Sequence, residues 1–144
     1  MAELAQGYEL TIDPERIDPV AAHAYLTRSY WSPGIPLETV NRALLGSLVV
    51  AVLHEGQQVA MARVVTDRAT FAYLADVYVL EEHRGKGLSH AMLAALHAHS
   101  ELQGLRRWLL FTEDAHGLYE KHGWSRLGHP QRGMEIVDPE IYQR

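Results

Sequence analysis

The residue types and spacing most able to do chemistry in this chain are Arg84-Gly85-Lys86-Gly87-Leu88-Ser89, immediately ahead of a strongly helical stretch. Backbone N–H groups at a helix start have no intrahelical partners and lie at the positive end of the helix dipole. Glycine lets the main chain approach a phosphate closely, and Arg84 and Lys86 add positive charge. His83, Arg84 and Lys86 cluster in a chain of net charge −5, with 13 basic and 18 acidic residues. Such a concentration suits a small anion, and a pyrophosphate would fit. The plainer reading is a turn made by two glycines, with its cations in water. The hexapeptide alone leaves both open.

Two common phosphate loops can be tested against it. A Walker A loop places its lysine after the second glycine, whereas Lys86 stands between Gly85 and Gly87. A dinucleotide loop needs a third glycine, and His90 occupies that place. Glu113-Asp114 could supply a ribose-binding carboxylate, but the preceding strands read as a meander and not as βαβ units. Both fail.

The elements around the loop follow from periodicity. Tyr8 to Ile12 reads as a first strand, and Asp18-Pro19 opens a helix to about Arg28 with an N-cap and a first-turn proline. Pro33, Gly34 and Pro36 make a loop, and Leu37, Val40 and Leu44 mark a second helix. Ser47–His54, Gln57–Asp67 and Phe71–Leu80 are strands joined by short turns, hence an antiparallel meander. Leu88, Ala91, Met92, Ala95, Leu96 and His99 form a helical stripe. Arg107–Thr112 reads as a strand, Ala115–His122 as a helix ended by Gly123, and Trp124–Leu127 and Gly133–Val137 as two terminal strands. The expected fold is α/β (α+β): a mixed, mainly antiparallel sheet flanked by helices, in the order β-α-α-β-β-β-α-β-α-β-β.

Composition narrows the class. The 144 residues suit one domain, 1–144, and contain 47% hydrophobic and 22% charged residues. Without cysteine there is no disulfide, thiolate metal site or cysteine nucleophile, and no metal is expected. The acidic balance argues against nucleic acid as partner. The longest apolar run, Leu44 to Leu53, is far short of the ~20 residues a membrane helix needs. No secretory signal is legible at the start, so the cytoplasm is the expected compartment and no membrane partner is expected.

Val77-Tyr78-Val79-Leu80-Glu81-Glu82-His83-Arg84-Gly85-Lys86-Gly87-Leu88-Ser89 resembles the acetyl-CoA signature of the GNAT acyltransferase superfamily: a V-x-V strand end, then [RQ]-x-x-G-x-[GA], then a long helix. Ala115-His116-Gly117-Leu118-Tyr119-Glu120-Lys121-His122-Gly123-Trp124 resembles the family's A-x-x-L-Y-x-x-x-G-[FW] segment. The element order agrees along nearly the whole chain. Ser89 departs from the usual Gly or Ala, one small residue for another.

The resemblance implies an acetyl-CoA-dependent N-acetyltransferase acting on a primary amine of a small molecule or a protein, with acetyl-CoA as cosubstrate. It implies cofactor contacts at Val77, Tyr78 and Val79, at Arg84 through Ser89, and at His116 and Tyr119. A backbone N–H at Val79 or Val77 would face the oxyanion, and the Tyr119 hydroxyl would protonate the departing thiolate. The alternative for Tyr119 is a half-buried aromatic that packs its helix against the sheet. The carboxylate that several members carry eleven residues before the motif arginine is Tyr73 here. Asp76 is then the candidate base, with a structural role for Asp76 or a water chain as the other options. By alternation Asp76 should face away from Tyr73, Ala75 and Val77. Tyr30, Trp31 and Ser32 are candidates for the acceptor pocket. A homodimer is compatible with all of this. A non-catalytic acetyl-CoA sensor is the rival reading, allowed by the missing carboxylate.

Overall fold

β-branched and aliphatic residues over positions 48–79 produce three long strands, and these organise everything else. The computed structural model describes residues 4–144. β2 (Leu48–His54), β3 (Gln57–Thr66) and β4 (Phe71–Val79) form the expected antiparallel meander. Glu55 and Gly56 close the first hairpin with φ of 51° and 79°, the mirror-image turn that matches strand twist. β1 (Tyr8–Thr11) adds antiparallel to β2, and β5 (Arg107–Leu109) adds parallel to β4, giving the order β1-β2-β3-β4-β5.

Side chains alternate across this sheet, so each face buries its own cluster. α3 (Leu88–His97) covers one face, with Leu88, Met92, Leu93 and Leu96 against Val50, Val52, Ala62 and Val64. Each buried Leu, Met or Val among these contributes about 1.5–3 kcal/mol. α1 (Pro19–Leu26) and α2 (Leu37–Leu45) cover the other, where Ala22, Leu26 and Val40 meet Met61 and Tyr78. α4 (His116–Glu120) follows β5. Asp18 caps α1 by accepting from the Val20 and Ala21 amides. The Gln58 side chain holds both the N–H and C=O of Asp18, pinning α1 to β3.

The mixed, mainly antiparallel sheet flanked by helices is as expected. Two elements differ. Neither Trp124–Leu127 nor Gly133–Val137 is a strand; the sheet ends at β5, and among the described residues no neighbour pairs with either segment. Both have strand-like sequences, but a strand exists only where an edge receives it. β5 is also shorter than Arg107–Thr112, for the same reason. Among the described residues no helix is long and apolar enough to cross a membrane.

Candidate active site

The loop after β4 places Gly85 and Gly87 at φ of 78° and 76°, a left-handed conformation that favours glycine. A Cβ at either would meet nothing within 4 Å, so the space above the loop is open. None of the backbone N–H groups from Gly85 to His90 donates to another described residue. Six successive free donors at the start of α3 make an anion-binding concavity. Arg84 turns inward instead of out: its Nε donates to the Val79 carbonyl (3.1 Å) and its Nη2 to the Tyr25 hydroxyl (3.0 Å). It therefore braces the loop against β4 and α1 while keeping its charge beside the concavity. Lys86 is exposed and without an ion pair among the described residues.

The loop opens into a cleft of about 820 Å³, walled by Tyr25, Arg28, Val77–Val79, Leu118 and Tyr119. The cleft exists because β4 and β5 separate. They pair only at Phe71–Tyr73 with Arg107–Leu109, which leaves one side of the β4 backbone from Leu74 to Val79 without a sheet partner. A bulge in β4 accompanies the separation. Tyr78 faces Met61 but Ala75 faces Arg63, so β4 holds one extra residue, and Asp76 adopts φ of 54°.

That bulge overturns the alternation argument for Asp76. Its side chain lines the same second cavity, about 490 Å³, as Tyr73, Ala75 and Val77. Both carboxylate oxygens are engaged: Trp31 Nε1 donates to Oδ1 and Arg63 Nε to Oδ2, each at 2.8 Å. Arg63 reaches on to the Ser47 hydroxyl. Asp76 thus clamps the α1–α2 loop to the sheet where the two cavities meet.

Tyr119 borders both cavities, and its hydroxyl makes no hydrogen bond with any described residue. Burial, with a smaller contribution from Tyr30 and Asp114, pushes its phenol up to about 12. At neutral pH it keeps its proton and can donate it.

Comparison with known proteins bears on this arrangement. A sequence model of the acetyltransferase (GNAT) domain matches residues 46–126. The chain belongs to the GNAT acetyltransferase family. A GNAT-family structure from Xanthomonas campestris pv. campestris, itself a candidate acetyltransferase, is 45% identical, with a TM-score of 0.92 over 95% of this chain and 97% of that one. A candidate acetyltransferase of Gibberella zeae is 31% identical over 138 residues, 80% of this chain and 77% of its own. A Clostridium acetobutylicum structure with acetyl-CoA shares the fold at 17% identity, with a TM-score of 0.66 over 90% of this chain and 94% of that one.

GNAT proteins use acetyl-CoA, and the residues present fit it. Free amides at Gly85–His90 suit its pyrophosphate, and the unpaired β4 edge suits an amide-bearing arm lying like a strand. Of the positions the GNAT signature points to, Val77, Tyr78, Val79, Arg84, Gly85, Gly87, Leu88, Ser89 and Tyr119 border the main cleft. The Tyr78 side chain is turned away, stacked on Tyr25 at 4.5 Å and bonded by Gln58, so only its backbone is offered. His116 does not border the cleft; it lines a third cavity beside β5. Tyr30, Trp31 and Ser32 all line the second cavity, and Tyr30 and Trp31 border the main cleft as well.

Several neighbours were invisible in the motifs. Tyr25 carries Arg84 on its hydroxyl and Arg28 over its ring at 4.4 Å. The Arg28 hydrogen bond holds Glu81 down at about 2. His90 Nδ1 and His122 Nε2 lie 2.8 Å apart behind the loop. The motifs point to none of these contacts, because partners 32 and 59 residues apart meet only in the fold.

Proposed function

We propose that this GNAT protein is an N-acetyltransferase that moves acetyl from acetyl-CoA to a primary amine. One observation carries the reading: the cleft below the anion-binding loop and the second cavity meet at Val77 and Tyr119. A donor and an acceptor molecule entering from the two sides would come together there. Bound acetyl-CoA supplies a thioester carbonyl open to attack. The unpaired backbone of Val77–Val79 offers N–H groups to the developing oxyanion. Tyr119 holds a proton in reach of a leaving thiolate. Tyr30, Trp31, Tyr73 and Phe111 give the second cavity an aromatic wall that suits a cationic amine before it sheds its proton.

In this reading Asp76 is a positioning residue, and the amine proton leaves through water. Asp76→Asn suits the left-handed φ and keeps the acceptor for Trp31, but deletes the charge facing Arg63. The pair is largely buried, with side-chain exposures of 18% and 12%. The expected loss is about 2–3 kcal/mol, at the lower edge for a broken buried pair. That corresponds to a melting point lower by roughly 4–12 °C. The rate at saturating substrates, measured on folded protein, should fall less than about tenfold, since a general base is worth about 10²–10⁴-fold. A fall of that larger size with an unchanged melting point would make Asp76 the base.

The test of the activity is thiol release from acetyl-CoA across a panel of primary amines, with alcohols as controls. Turnover with an amine is the expected result. Tight acetyl-CoA binding with no turnover on any acceptor would favour the sensor.

A further inference from the structure

The charged residues lining the second cavity are Arg63, Asp76 and Glu113, and two of them already hold each other. Arg63 takes one Asp76 oxygen and Trp31 the other, while a further Arg63 nitrogen donates to Ser47. Glu113 is different. Its carboxylate makes neither an ion pair nor a hydrogen bond with a described residue. Its backbone N–H donates to the Tyr30 hydroxyl (3.0 Å), which fixes the turn after β5. Tyr30 and the adjacent Thr112 border both cavities, as Tyr119 does, so Glu113 stands at the end where they meet.

Away from that junction the cavity is apolar. Leu26, Ile35, Val40 and Leu44 border it and not the cleft, and they belong to the cluster packed under α1 and α2. The rest of the wall carries uncovered rings. Phe111 is 71% exposed, with the Tyr73 ring 6.3 Å away, and Tyr30 and Trp31 are exposed too. Large exposed rings gathered on one cavity mark a place where an apolar body binds.

We propose that the acceptor is a small arylalkylamine: one ammonium on a short chain, an aromatic ring, and no carboxylate or second cation. The proposal rests on the N-acetyltransferase reading and narrows it. Glu113 receives the ammonium at the junction, and the ring lies along Phe111 and Tyr73. An amino acid would bring its carboxylate up to Glu113, like charge against like. A polyamine would push a second ammonium among Leu26, Ile35 and Val40, where Asp76 is already taken by Arg63. The volume of about 490 Å³ suits a small molecule. Once bound, the ammonium gives one proton to water, and its nitrogen bonds to the acetyl carbon as the C–S bond breaks. Tyr119 protonates the sulfur and regains a proton from the new amide nitrogen through water. Glu113 sets specificity and takes no part in these transfers.

Thiol release from acetyl-CoA with matched amines tests this on the full chain. Phenethylamine should exceed phenylalanine in kcat/KM, and hexylamine should exceed hexamethylenediamine, each by at least about tenfold. Each pair differs by one charged group. Glu113→Lys should shrink the first ratio at least about tenfold while keeping the acetyl-CoA thermal shift. Phe111→Ala should cut the preference for phenethylamine over ethylamine about tenfold. Ratios within one preparation cancel any loss of folded protein. Phenylalanine or hexamethylenediamine at or above its partner would overturn the proposal, and so would a peptide amine outpacing every small one. Ratios unmoved by both substitutions would do the same. In each of those cases N-acetyl transfer itself stands. No turnover with any amine, beside an intact acetyl-CoA thermal shift, would overturn both.

Discussion

Tyr119→Phe should slow single-turnover acetyl transfer by about 10²–10⁴-fold, the usual worth of a positioned general acid. The substitution removes one hydroxyl that bonds to nothing else among the described residues and keeps the ring between Leu118 and Trp124. Stability and acetyl-CoA affinity should therefore barely move. Burial raises the phenol from 10 to about 12, so the proton-bearing form is present throughout the working pH range. A free thiol titrates near 8.5, so transfer to a solvated thiolate would be uphill by roughly 5 kcal/mol. It becomes feasible because a thiolate leaving into the same dry cleft is destabilised by the same burial. The alkaline limb that an ordinary tyrosine would give near pH 10 should accordingly be absent below about pH 11. The sign for stability follows. Unfolded tyrosines ionise near 10 while Tyr78 and Tyr119 resist until about 12, so stability is lost as pH rises through that window. A single-turnover rate within about twofold of wild type would leave Tyr119 a packing residue.

Gly87→Val should abolish useful acetyl-CoA binding. At φ of 76° a branched side chain is strained, and its methyl groups would stand in the open space over the free amides. Losing two charge-assisted hydrogen bonds at about 1.5–3 kcal/mol each weakens binding by more than about a hundredfold. The control is Gly56→Val in the β2–β3 turn, where φ is 79° and nothing lies within 4 Å. It carries similar backbone strain far from the cleft, so it should lower the melting point comparably and leave binding intact. Equal affinity in the Gly87 and Gly56 variants would reduce the loop to a turn.

What could be read in advance was local. Asp18-Pro19 announced α1 because an N-cap and a first-turn proline need no distant partner. The stripe from Leu88 announced α3 for the same reason, and two glycines alternating with Arg84 and Lys86 announced the loop. What could not be read depends on contacts far apart in sequence. The bulge that turns Asp76 toward the cavity is decided by β3 pairing and by Trp31 and Arg63, 45 and 13 residues away. Arg84 looked like a phosphate ligand because nothing in the hexapeptide reveals Tyr25. Trp124–Leu127 and Gly133–Val137 have strand sequences without strand partners among the described residues, because strand character describes a side-chain pattern and pairing needs an edge.

The most direct test of the central claim is the melting temperature of the wild-type protein titrated with acetyl-CoA, with NAD as the comparison. A ligand at a hundred times its dissociation constant stabilises the native state by about 2.7 kcal/mol. For a chain of this size that is a rise of roughly 5–11 °C. The predicted result is a saturable rise with acetyl-CoA and CoA and none with NAD. No shift at millimolar acetyl-CoA, or an equal shift with NAD, would contradict the account.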